Sequence, residues 1–110
     1  MLRRVVITGL GAVSPNGIGQ KEFWENTCKG ISGIDRITSF DPVDLSCQIA
    51  GEVTNFDPSL YYSAADLKKL PRTVPLAVAA TQEALANAGI DLDSFSEEDF
   101  ESLGVLVGSG

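Results

Sequence analysis

The chain contains no histidine. That excludes a histidine-based triad, a histidine general base and histidine metal ligands within its 110 residues. Cysteine is nearly as scarce. Cys28 and Cys47 are the two present, too few for a four-cysteine zinc site. Both are expected as reduced, buried thiols. Long apolar stretches are missing as well. The longest runs are about five residues, against the roughly 20 that a membrane helix needs. Met1-Leu2-Arg3-Arg4 leads straight into Val5-Val6-Ile7 without the hydrophobic stretch or cleavage site of a signal peptide. A cytoplasmic location is the default expectation, with no membrane contact.

Positive charge is thin and unevenly placed. Residues 1–36 carry five basic groups against three acidic ones, a net +2. Residues 37–110 carry three basic groups against twelve acidic ones, a net −9. An acidic chain without a basic stripe makes a poor nucleic-acid binder. The three basic residues of the acidic part, Lys68, Lys69 and Arg72, stand close together.

What remains is ordinary for a globular protein: 44% apolar and 21% charged residues. The length suits one domain that buries roughly two thirds of its unfolded surface. Arg4–Thr8, with its β-branched run Val5-Val6-Ile7, reads as a strand buried on both faces. A Gly-rich stretch from Gly9 to Gly19, broken by Pro15, follows. A helix is expected from Gln20 to Lys29, with Phe23, Thr27, Trp24 and Cys28 on one side and Gly30 as its stop. Residues 31–42 read as loop. Alternation predicts a half-buried strand over 47–53. A short helix is expected over 64–70, ended by Pro71. A stronger helix follows over 74–88, capped by Thr73, with Pro75 in its first turn. Its stripe is Val74, Val78, Thr81, Leu85 and Ala88, flanked by small residues that permit close packing. Gly89 stops it. Residues 91–101 read as an acidic loop, and 103–107 as a second buried strand before Gly108-Ser109-Gly110. The order implies an α/β fold with the two buried strands parallel. A helix should follow such a strand, so the sequence reads as the front part of something longer.

The motifs carry little chemistry by themselves. Gly9-Leu10-Gly11 after a strand invites a dinucleotide-binding reading. The third glycine position is Ser14, Pro15 follows, and no acidic residue closes a second strand. The glycines read instead as packing and turn residues. Cys28 and Cys47 have no base to activate them. Ser109 lacks the frame of a nucleophile elbow. Glu97, Glu98, Asp99 and Glu101 read as a solvated face. A nucleotide-binding oxidoreductase and a non-enzymatic interaction module stay open on these grounds.

Taken together, the segments resemble the start of a β-ketoacyl-acyl-carrier-protein synthase of the elongating kind. The matching residues are Arg3 to Gly17, Phe23-Trp24, Gly30-Ile31-Ser32-Gly33-Ile34, Phe40-Asp41, Ile49 to Val53, Phe56-Asp57-Pro58, Ala84 to Gly89 and Gly104 to Gly110. The resemblance implies the N-terminal portion of a thiolase-like fold, a mixed, largely parallel sheet covered by helices and incomplete in this chain. Residues 1–110 would be part of the family's N-terminal domain. It implies an acyltransferase that elongates acyl chains by decarboxylative Claisen condensation with malonyl-carrier protein. It implies a homodimer and no cofactor or metal. A cysteine nucleophile and two histidines are expected beyond Gly110, so no catalytic residue is assigned here. An inactive, chain-length-factor-like paralogue shares this front end. Pro71, Thr73 and Pro75 depart from the family pattern. The resemblance also implies that Lys68, Lys69 and Arg72 lie where condensing enzymes meet acidic acyl carrier protein. Ala65 stands where a further basic residue is common.

Overall fold

The computed structural model describes residues 2–109. Its first regular element is a small antiparallel hairpin, β1 (Val13–Ser14) and β2 (Gly17–Ile18), closed over Pro15-Asn16. Helix α1 (Gln20–Cys28) packs onto that hairpin. A second antiparallel ribbon joins β3 (Ile34–Arg36) to β4 (Ile49–Gly51), with Ile34 opposite Gly51 and Arg36 opposite Ile49. A 3-10 turn at Pro58–Leu60 leads to α2 (Ala64–Leu67). The long helix α3 (Thr73–Ala88) follows, then a 3-10 turn at Leu92–Ser94 and α4 (Glu97–Glu101).

Several expectations hold. Helix α1 begins at Gln20, and Gly30 turns away from it at φ 70°. Pro75 lies in the first turn of α3, where a missing N–H does no harm. Gly89 ends α3 in the left-handed conformation, φ 69°.

Others are corrected. Val5–Ile7 and Leu103–Val107 form no strand, and no parallel pair occurs among the described residues. Val5 is 90% exposed and Leu106 100%. Neither segment pairs with a strand among the described residues, and their apolar side chains meet solvent. Residues 34–36, expected as loop, form β3, because β4 offers them a ladder. Thr73 does not cap α3 but is its first residue; Arg72 precedes it in a helical conformation with no side-chain cap. The acidic stretch is not loop throughout. Ser96 Oγ accepts from Asp99 N while Asp99 accepts from Ser96 N, a capping box that starts α4. Both cysteines are free and exposed rather than buried.

The chain does not close a core on itself. Its radius of gyration is 17.5 Å, where a compact domain of this length has about 13 Å. Its surface is 9014 Å², against roughly 5,800 Å² for a folded monomer of this mass. Among the described residues the buried apolar side chains are few and small: Pro42, and Pro75 and Ala79 in α3. The expected burial of two thirds of the surface is not reached. The nearest thing to a core is the seam where residues 9–12 lie along α3.

Candidate functional site

That seam is built from missing side chains. A Cβ on Gly9 would run into the carbonyl oxygen of Ala84 and the side chain of Ala88. One on Gly11 would run into the carbonyl of Ala80. The approach needs glycine on one side and alanine on the other, so the glycines serve packing. The face of α3 that meets this segment carries Ala80, Ala84 and Ala88, and of the expected stripe it includes Ala88 but not Thr81. Thr81 is exposed and turns its hydroxyl to Ala77 O at 2.8 Å.

Polar side chains of α3 then take up the donors of the segment. Asn87 Oδ1 accepts from Leu10 N at 3.1 Å, and Glu83 Oε2 accepts from Ala12 N at 2.8 Å. Glu83 Oε1 accepts from Gln20 N, also at 2.8 Å. Gly19, at the N-cap of α1, has no side-chain oxygen to offer. Glu83 supplies it from another helix, where a carboxylate also suits the positive end of the helix dipole. The sequence reading missed Glu83 and Asn87. Their spacing of four, on a helix face of alanines, was the available signal.

A second clamp holds the loop after β3. Glu52 accepts from Thr38 N and Thr38 Oγ1, both at 2.8 Å, and from Ser39 N at 3.0 Å. Hydrogen bonds from Ser39 and Thr38 hold its carboxyl well below the usual range, at about 2. Beside it lies an open cavity of about 520 Å³, lined by Thr38, Ser39, Glu52, Val53, Arg72 and Leu76 among others.

The basic cluster divides. Ser63 caps α2 by accepting from Asp66 N at 3.2 Å. Lys68 and Lys69 follow at its C-terminal end, exposed. Neither takes part in an ion pair; the pair found among the described residues is Lys29–Glu25, at 3.9 Å. Arg72 is committed otherwise: its Nη2 donates to the carbonyl oxygen of Val53. So the structure leaves Lys68 and Lys69 as solvent-facing cations and ties Arg72 to the backbone.

Nothing in the described residues assembles a catalytic group. Cys28, the last residue of α1, is exposed, and Cys47 Sγ donates to Ile49 O at 3.6 Å. Neither faces a base. Ser109 lies in an exposed tail; the Gly110 of its expected turn is outside the described residues. Glu97, Glu98, Asp99 and Glu101 are exposed, as expected of a solvated face. No group of three or more metal-ligating side chains occurs among the described residues, and no helix there is long and apolar enough to cross a membrane.

Comparison with known proteins places this scaffold. The model of the beta-ketoacyl synthase N-terminal domain matches residues 2–110. The chain is 39% identical over 98% of its length to 3-oxoacyl-[acyl-carrier-protein] synthase 2 of Staphylococcus aureus (strain COL), covering 25% of that protein. It is 35% identical over 98% of its length to the Synechocystis sp. protein of the same name, again covering 25%. Among solved structures it resembles the ishigamide ketosynthase/chain length factor, with a TM-score of 0.70 and 35% identity, covering 88% of this chain and 23% of that one. The chain therefore spans about a quarter of the length of the curated relatives it matches. With the model of the N-terminal domain matching residues 2–110, the chain belongs to the beta-ketoacyl synthase family.

Proposed function

We propose that this chain is the front part of a 3-oxoacyl-acyl-carrier-protein synthase, a cytoplasmic and homodimeric condensing enzyme. The complete protein elongates an acyl chain by decarboxylative condensation with malonyl-carrier protein. The observation that carries the reading is the family match over residues 2–110, alongside relatives named as such synthases. This portion is scaffold. The nucleophilic thiolate and its proton-handling partners belong to the remainder of the protein.

Two finer features go with the reading. Val5–Ile7 and Leu103–Val107 are exposed apolar runs, and they pair in parallel within the thiolase-like sheet of the complete domain. An unpaired apolar strand calls for such a neighbour. Lys68 and Lys69 form the surface that receives acyl carrier protein. Their support is exposure and freedom from ion pairs within a strongly acidic stretch.

The test is the complete protein with acyl- and malonyl-carrier protein. Release of carbon dioxide with a 3-oxoacyl product is expected. One observation favours a second reading: the structural likeness to a ketosynthase/chain length factor. A chain-length-factor-like protein would take up no acyl group and condense nothing until mixed with an active synthase. For docking, Lys68→Glu with Lys69→Glu should slow association with carrier protein and flatten its salt dependence. Unchanged association at low salt would show the lysines to be an ordinary solvated face.

A further inference from the structure

The arrangement around α2 points to a role for Arg72 that the charge pattern hides. Helix α2 has four residues and buries none of them. Its principal neighbour is the 3-10 turn just before it, Pro58–Leu60. The hydrogen bonds of residues 57–72 are otherwise local: Tyr61 N and Tyr62 N to Pro58 O, Lys69 N and Leu70 N to Asp66 O, Val74 N to Pro71 O. Among the described residues, one hydrogen bond ties this stretch to the chain that precedes it. It runs from Arg72 Nη2 to Val53 O, across 19 positions. Val53 is the second residue past β4, and Arg72 immediately precedes α3. Lys69 is three positions before Arg72, with Pro71 between them restricting the backbone. Holding Arg72 in place therefore limits where Lys68 and Lys69 can sit.

We infer that Arg72 is a positioning residue: it sets the presentation of Lys68 and Lys69 and does not itself meet the partner. The inference rests on the reading of those lysines as the carrier-protein surface. Its physical content is a division of labour. A cation whose donor is turned to a backbone carbonyl gives geometry. Two cations without partners give charge.

The experiment is kinetic, on the complete protein with acyl-loaded carrier protein. Arg72→Met and Arg72→Lys are each made alone and in the background of Lys68→Glu with Lys69→Glu. Losing one net hydrogen bond corresponds to about a two- to tenfold effect. So Arg72→Met should raise KM for the carrier by about two- to tenfold, with kcat retained and the salt slope of association unchanged. Arg72→Lys, which can still donate one bond, should recover part of the loss. In the lysine-to-glutamate background the effect of Arg72→Met should vanish, because a residue acting through others is not additive with them. A shallower salt slope in Arg72→Met overturns the inference, as it marks a direct contact. So does an unchanged KM, an additive effect in the double background, or a fall in kcat shared by both Arg72 variants. If the lysine-to-glutamate protein itself associates normally, the docking reading fails and the Arg72 inference falls with it. That outcome is distinct from the additive one, which leaves the lysines in their role.

Discussion

The carboxylate of Glu83 accepts the backbone N–H of Gln20 across 63 positions of sequence, and its other oxygen holds Ala12. One side chain on α3 thus fixes both the start of α1 and the segment that leads into the hairpin. Glu83 is half-buried, which shields the contact from water more than a surface cap. Replacing it with alanine should cost about 1–3 kcal/mol of stability, the range for a lost cap and for hydrogen bonds to a charged acceptor. Urea unfolding of the complete protein, variant against parent, measures this. An unchanged midpoint would mean that the bridge contributes nothing.

The seam gives a contrast between glycines. Gly11→Ala places a methyl group against the backbone of α3, where neither side can rotate out of the way. A loss of about 1–3 kcal/mol is expected from the overpacking. Gly104→Ala meets nothing within 4 Å in the same structure. In the 110-residue chain it serves as the matched control, within about 0.5 kcal/mol of parent. Thermal melting of both variants decides it, and equal shifts would refute the seam.

Glu52 sets an acid-side dependence. Its carboxyl is lowered from 4.5 to about 2 by hydrogen bonds from Ser39 and Thr38. A depressed carboxylate contributes stability that is complete above its unfolded value and is lost as pH falls through the folded one. The contribution should therefore be present above about pH 4.5 and fade down to about pH 2. Glu52→Gln should reduce stability at neutral pH and make no difference near pH 2. Unfolding free energies at several pH values, compared between the two proteins, test this. A gap that stays constant with pH would remove Glu52 from the account.

The 110-residue chain alone should neither condense nor accept an acyl group. It has no histidine, and its two cysteines are exposed thiols without a base nearby. It should also associate and bind dyes that report apolar surface, because Val5–Ile7 and Leu103–Val107 are open to solvent. Mass spectrometry after incubation with an acyl thioester checks the first statement. An acyl adduct on Cys28 or Cys47 would reverse it. Light scattering checks the second, and a clean monomer without dye binding would contradict it.

Much of this was legible where one local rule decides. Gln20 to Cys28, Pro75 and Gly89 follow from helix spacing and from the backbone limits of proline and glycine. Gly9 and Gly11 were correctly read as packing residues, though not against which helix. What failed depended on distant partners. The short strand at Ile34–Arg36 exists because Ile49–Gly51 lies opposite, and no window around residue 35 contains that information. Ser96 and Asp99 were readable as a capping box, but the run of acidic residues drew attention to charge instead. Val5–Ile7 shows the reverse error. Its composition is that of an interior strand, yet burial is supplied by neighbours and not by the run itself. Arg72 shows the same limit at the candidate site. Charge counting groups it with Lys68 and Lys69, while a carbonyl at Val53 separates them.

The alternation of glycine with larger residues along α3 also acts as an alignment key. Two residues of extended chain advance about 6.6 Å, and four residues of helix advance about 6.0 Å. Positions 9 and 11 can therefore meet successive turns of α3, as they do at Ala84 and Ala80. Sliding the segment by one residue would bring Leu10, with Thr8 or Ala12, onto the helix backbone. Sliding it by two would bring Ile7 or Val13 there. Every such shift puts a side chain where only hydrogen fits, so the pairing has one permitted setting. A single-residue insertion between Gly9 and Gly11 would have no compensating slip available. The early chain thus carries its own alignment mark before any large core exists to enforce one.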